Sequence, residues 1–352
     1  MVVDNHTAYQ KDNPKRRLLW AVAYLLAAAW PLAVGIERPG ITGYERAMLP
    51  DMIHGTAWQP FVKRQLVPLI VRSGLTLPPQ SLSDRLRQVF ERSSIVQKLR
   101  WPAQYAPEFV LSLVVMYASM LAFLVVLRKF LRTLLEISEG GSHAAVLVVA
   151  VGLPISFAGK LYIYDFTQLL LFTAGLLCMY QRRWWWYYPL FALACLNKET
   201  SILLVAVFAC WIGRRAFESA NLAHIAAQAV IGLGICAVLA WIFRHNPGGG
   251  IEWHLQRNLS PPITKLAMIR LAVLVLAIIL ALWRFRGAPV FVSRGFLVTL
   301  LPLLVATLFF GYVDELRDYY EALPFGLCLV LLTLGKRWGV YAREARRVFT
   351  AG

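Results

Sequence analysis

Asp165 stands at the mouth of an apolar stretch, YIYDFTQLLLFTAGLLCMYQRR, and Asn197-Lys198-Glu199-Thr200 closes the aromatic-rich return WWWYYPLFALACLNKET. An ionisable group near the centre of a bilayer costs roughly 2.5–3.5 kcal/mol or more, so charges set in such surroundings call for a partner or a task. A carboxylate can take up a proton or orient a cation. Lysine holds an anion as a point charge, and arginine holds one with two parallel donors. The two clusters lie at opposite ends of a down-and-up helix pair, which brings them out on one side. Further candidates sit elsewhere. In GYVDELRDYYEALPF, Arg317 is a candidate anion ligand with Glu315 beside it, although Asp314 at i−3 and Glu321 at i+4 equally suit ordinary helix-face pairs. Nearer the N-terminus, Glu45 or Asp51 could serve as a general base or be a solvated loop acid, and Arg64 opens the segment RQLVP. Asp165 or Thr167 also suits the N-terminal cap of a helix.

The elements that must hold these residues are apolar. The 352 residues are 59% hydrophobic, with a mean hydropathy of +0.57, against about 45–50% for a soluble domain. This is the composition of an integral membrane protein. Recurrent apolar runs bounded by Arg, Lys or Pro predict membrane-crossing helices rather than the alternation of a barrel. The net charge of +17 does not indicate nucleic acid, because the basic residues are packed into short turns between apolar runs, as cytoplasmic turns require; some of the surplus can attract anionic membrane lipids. The five cysteines fall within or at the edge of apolar runs without metal-ligand spacing, which makes them packing residues and zinc improbable.

The predicted fold is an all-α polytopic membrane bundle of about ten transmembrane helices. The first runs from Leu18 to Ile36; the others cover 107–127, 144–158, 165–180, 184–196, 200–213, 222–243, 265–283, 290–310 and 319–334. Residues 1–14 read as a disordered cytoplasmic tail, 15–335 as one transmembrane domain and 336–352 as a basic cytoplasmic tail. Residues 37–106 form a long first external loop, a length that usually signals function. In it, Leu82, Leu86, Val89, Phe90, Val96 and Leu99 repeat at helical spacing beside Arg85, Arg87, Arg92 and Lys98, the pattern of a basic amphipathic helix in the membrane interface. With both termini cytoplasmic, the turns at Arg128-Lys129, Arg182-Arg183, Arg214-Arg215 and Arg284 to Arg286 all face the cytoplasm. This parity requires 184–213 to be a hairpin rather than one long helix, which Pro189 and the Asn197–Thr200 break favour.

The central stretch resembles the GT-C superfamily of membrane glycosyltransferases, which includes protein O-mannosyltransferases and aminoarabinose transferases. Tyr164-Asp165-Phe166 before LLLFTAGLL, Gln181-Arg182-Arg183, and then ALACLNKETSILL follow that family's order of an acid at the start of a span, a basic turn and a return span ending in a lysine-containing turn. The long first loop with early acids is similar as well. The resemblance implies a bacterial inner-membrane enzyme that moves a sugar, with inversion, from a polyprenyl-phosphate donor to a glycan, lipid or protein acceptor. Glu45, or next Asp51, would be the base. Lys198, Arg64 and Arg317 would hold the donor phosphate, with Asp165, Glu199, Asn197 and Glu315 orienting. No cofactor is implied, and a divalent metal is optional. A transporter or flippase of a lipid-linked or anionic solute, or a polysaccharide polymerase, would use the same charges.

Overall fold

The computed structural model describes residues 14–38, 40–157, 160–249, 252–260, 264–335 and 339–343. The protein is nearly all-α. Among the described residues, six stretches are long and apolar enough to cross a membrane: Pro14–Gly35, Ala103–Leu134, Glu139–Phe157, Glu199–Phe217, Ser219–Ile242 and Val290–Phe310. The chain is thus an integral membrane protein. Most of the segments expected to form the two termini lie outside the described residues.

A helix overlaps each expected span, in several cases over only part of its length. The first is α1 (Pro14–Gly35); α2 (Leu49–His54), α3 (Leu66–Leu75), α4 (Gln80–Arg92) and α5 (Ser94–Leu99) then occupy the first loop. The remainder are α6 (Ala106–Leu134), α7 (Glu139–Gly152), α8 (Asp165–Tyr180), α9 (Trp184–Asn197), α10 (Leu203–Ile212), α11 (Ser219–Ile242), a short α12 (Leu255–Leu259), α13 (Lys265–Arg284), α14 (Val290–Phe310) and α15 (Leu323–Leu334). In the first loop the single amphipathic helix expected over 81–100 is two, because Ser93 leaves helical geometry and its hydroxyl caps α5 by accepting from the Val96 N–H. On α4, Phe90 is buried while Leu82 and Val89 are exposed. Helix α3 buries Leu66, Val67, Pro68 and Val71, packing on α6 and α9, with Leu66 clustered against Leu171 and Ala194.

Cross-chain contacts fix the two ends of the bundle. At one end a short antiparallel pair joins β1 (Leu135–Glu136), which follows α6, to β2 (Tyr341–Ala342), and Tyr180, Trp211 and Phe291 cluster with centroids 4.9–5.8 Å apart. This is the end of the basic turns. At the other end Asn197 reaches Tyr164, and Gln59 reaches Phe243.

The hairpin at 184–213 is real. The rings of Trp184 and Phe208 are 5.3 Å apart, whereas 24 positions of continuous helix would separate them by about 36 Å. Pro189 lies inside α9 and does not break it; the chain turns at Lys198, whose backbone is extended (φ −158°, ψ 134°). At 14 residues α9 spans roughly 21 Å, short of the roughly 30 Å of a hydrocarbon core, whereas the 10 residues of α10 extend to the 19 of Glu199–Phe217 only through the 3-10 turns on either side. The turn therefore sits within the depth of the bundle, with Asn197 and Lys198 buried.

The first loop is tied to that same end. Gly40 (φ 110°) passes so close to Leu161 that a Cβ would stand 2.4 Å from its carbonyl oxygen, so only glycine brings the loop beside the segment that leads into α8. Asn246 donates to the carbonyls of Gly55 and Ala57 at 2.8 and 3.0 Å, latching the loop after α11 onto the first loop.

Candidate functional site

The charges converge on the end of the bundle opposite the basic turns, in two layers. The inner layer is a buried polar network. Glu321, 0% exposed, takes a hydrogen bond from Gln168 at 3.0 Å and another from the Thr200 hydroxyl, and Lys198 Nζ lies 3.4 Å from it. Gln168 also donates to Ser201 (3.0 Å) and accepts from Asn197 (3.1 Å), whose amide in turn donates to the Tyr164 carbonyl. A buried charge is tolerable only when paired and hydrogen-bonded; these interactions supply both through Glu321 Oε1, while Glu321 Oε2 and Asn197 Oδ1 stay buried without a hydrogen-bond partner.

The outer layer lines a cavity of about 570 Å³. Arg64 grips Glu199 with two donors, Nη2–Oε1 at 2.7 Å and Nε–Oε2 at 3.2 Å, and donates to the Tyr164 hydroxyl. Arg317 donates from Nε and Nη2 to Glu315 at 3.1 and 2.6 Å; its Nη1 lies 3.8 Å from Asp165 and its Nη2 3.9 Å from Asp318. The two guanidiniums lie over Tyr164 and Tyr162 respectively, each 4.5 Å from the ring centre, and the two tyrosines stack on each other at 5.4 Å. Asp165 occupies the first turn of α8, where an acid suits the helix dipole. It is not the cap: Tyr164 is, and the Asp165 carboxylate reaches back to the Tyr162 N–H at 2.9 Å.

Tyr44, Phe61, Tyr162, Lys160, Glu252, His254 and Tyr312 complete the polar and aromatic wall. Lys160 Nζ stands 3.9 Å above the Tyr44 ring. Glu252 pairs with Arg46 and lies 3.4 Å from His254. The opposite wall is apolar and comes from Cys236, Leu239 and Ala240 of α11 and Ala306 and Phe310 of α14. Both helices pack on α10, and both present large apolar side chains outward, including Val238 and Trp241 on α11 and Leu301 and Val305 on α14.

Electrostatics follows from this pairing. Burial disfavours the Arg64 cation, but Glu199 and Tyr164 outweigh it and hold the group above its ordinary value. Burial likewise raises the Glu315 carboxyl, and Arg317 more than reverses it, leaving a net lowering. Burial brings Lys160 down despite Glu315. At Asp318, burial is reinforced by Glu315 and only partly offset by Arg317, and the carboxyl is raised to about 6.

Of the residues expected from sequence, Arg64, Arg317, Glu199 and Glu315 line the cavity. Asp165 stands behind Arg317, and Asn197 and Lys198 belong to the inner network, so Lys198 faces Glu321 rather than the cavity. The first-loop acids lie elsewhere: Glu45 is exposed although its neighbour Tyr44 lines the cavity, and Asp51 lines a separate cavity of about 530 Å³. The local pairs of Arg317 with Asp314 and Glu321 do not form. Asp314 pairs with Arg270 (3.2 Å) and Glu321 with Lys198, because Leu316–Ala322 is a tight, irregular turn rather than an α-helix. Sequence reasoning gave no role to Gln168, Lys160, Tyr162 or Asp318. A polar residue at i+3 from Asp165 was the available signal for Gln168.

The five cysteines are free, and among the described residues no group of three or more His, Cys, Asp or Glu gathers as a metal site. No protein-family model, curated protein or solved structure matches the chain.

Proposed function

We propose that the protein is a GT-C-type membrane glycosyltransferase that moves a sugar from a polyprenyl-phosphate donor to a glycan, lipid or protein acceptor, with inversion at the anomeric carbon. One observation carries the reading: a single cavity combines arginine–carboxylate pairs, aromatic rings and an apolar wall drawn from two outward-facing membrane helices. Each part has a use. Leu239, Ala240, Ala306 and Phe310 suit the first units of a lipid chain. Arg64, Arg317 and Lys160 suit a phosphate whose charge grows as it leaves. The rings of Tyr44 and Tyr312 at the cavity wall suit the apolar faces of a sugar. Glu199 and Glu315 hold the guanidiniums in place.

In this reading all ten expected spans cross the membrane, the short α9, α10 and α15 together with the turns that flank them. The basic turns face the cytoplasm, the cavity and first loop face outward, and the membrane is the inner membrane of a bacterium. Helices α4 and α5 rest on the outer interface with their basic residues toward anionic headgroups.

The experiment is transfer of radiolabelled sugar from polyprenyl-phosphate donors by the purified protein in liposomes, with Arg64→Ala and Arg317→Ala beside the wild type. Transfer that falls at least tenfold in both variants supports the reading. Substrate-dependent flux without a change in covalent structure would replace it with a transporter.

A further inference from the structure

We infer that Asp318 is the group that accepts the acceptor's proton, a role that rests on the glycosyltransferase reading. Four carboxylates line the cavity: Glu199, Glu252, Glu315 and Asp318. Three are committed to cations, Glu199 to Arg64, Glu315 to Arg317, and Glu252 to Arg46 and His254. Asp318 differs, its nearest cation being Arg317 at 3.9 Å, beyond hydrogen-bond reach.

The site around Asp318 is shaped for access. Its side chain keeps 23% exposure on the cavity wall. Opposite it lies Gly311, also a lining residue, where any Cβ would stand 3.2 Å from the carboxylate Oδ2. A side chain there would crowd the carboxylate as well as Thr307, whose Cα and Cγ2 would lie 3.2 and 3.3 Å away; glycine leaves this side of Asp318 uncovered. The charged groups around Asp318 come from every side: Glu315 and Arg317 on its own segment, Lys198 from the turn between α9 and α10, Arg64 from the first loop, and Lys160 from the approach to α8. Burial and Glu315 outweigh these cations and hold the carboxyl at about 6, basic enough to take a proton yet ionised at neutral pH.

In the step, the acceptor oxygen forms its bond to the anomeric carbon while its proton passes to Asp318. The bond from that carbon to the phosphate oxygen breaks, and its electron pair leaves with the lipid phosphate beside Arg64 and Arg317. One bond forms, one breaks and the proton is accounted for, without an external oxidant or reductant.

The test is the pH dependence of kcat in proteoliposomes, with donor binding measured separately and folding checked by size-exclusion chromatography. The wild type should gain activity as pH rises through about 6, as Asp318 ionises. Asp318→Asn should bind the donor with unchanged affinity, lose about 10²–10⁴ in kcat and lose that rise; Asp318→Glu should recover part of both. Gly311→Ala should lower kcat while leaving donor affinity intact. An Asp318→Asn protein with wild-type kcat and an unchanged profile overturns the assignment and leaves the glycosyltransferase reading standing, as does loss of the rise in Glu45→Gln or Asp51→Asn instead. A wild type that transfers no sugar from any donor overturns both.

Discussion

Lys198 and Glu321 offer a test of the inner network that does not depend on the reaction. Glu321→Gln keeps the acceptor oxygen for Gln168 and Thr200 but removes the charge, leaving the Lys198 ammonium, 6% exposed, without its counter-ion at 3.4 Å. Removing one member of a buried pair costs about 3–5 kcal/mol, mostly the penalty of the uncompensated charge left behind. Lys198→Met strands the carboxylate instead and should cost a similar amount. The double variant strands neither charge, and Met fills the space of the lysine stem, so its loss should be well below the sum of the singles, giving a coupling of at least about 2 kcal/mol. The assay is denaturant titration of the purified protein in mixed micelles, followed by tryptophan fluorescence, for all four members of the cycle. A loss under about 1 kcal/mol in Glu321→Gln, or a coupling within the roughly 0.3–0.5 kcal/mol scatter of independent sites, would refute the reasoning.

Cysteines introduced at Thr200 and Arg214 should react with a membrane-impermeant maleimide from opposite sides of sealed vesicles; reaction from one side alone would show that α10 does not carry the chain across. Gly295→Ala places a Cβ 2.4 Å from the Phe325 ring, which is fully buried, and should cost about 1–3 kcal/mol by overpacking, with an unchanged denaturation midpoint as the contrary result. Asp318 also makes an unusual contribution to stability. Its carboxyl is raised in the fold from 3.8 to about 6, so the native state holds the proton more tightly than the unfolded chain, and stability falls as pH rises between those values. At about 1.36 kcal/mol per unit, the loss is up to about 3 kcal/mol. Asp318→Asn should remove it, making the variant more stable than the wild type above pH 6 and its equal near pH 4; parallel stability curves would argue against the shift.

Much of the architecture was legible because hydropathy and helix-breaking residues act locally. The run from Asp165 to Tyr180 and that from Val290 to Phe310 begin and end where the apolar pattern does. The reversal at Lys198 followed from charge parity, although Pro189, taken as support, is absorbed into α9. One proline near a helix start removes few internal hydrogen bonds, whereas Asn-Lys-Glu-Thr brings charges that a membrane helix cannot continue through.

What the sequence determined alone is that these charges cannot rest bare in hydrocarbon, since an ionisable group near the bilayer centre costs roughly 2.5–3.5 kcal/mol or more unless it finds a partner. Which charge meets which was decided by tertiary structure. Arg317 looked matched to Asp314 and Glu321 by helical spacing, yet it holds Glu315 and approaches Asp165, which lies 152 positions away. Lys198 turns inward to Glu321 and leaves the cavity to Arg64, which arrives from the first loop. Ion pairing is settled within a few ångströms, by how each helix is rotated and how each turn bends, and neither quantity is written in local spacing.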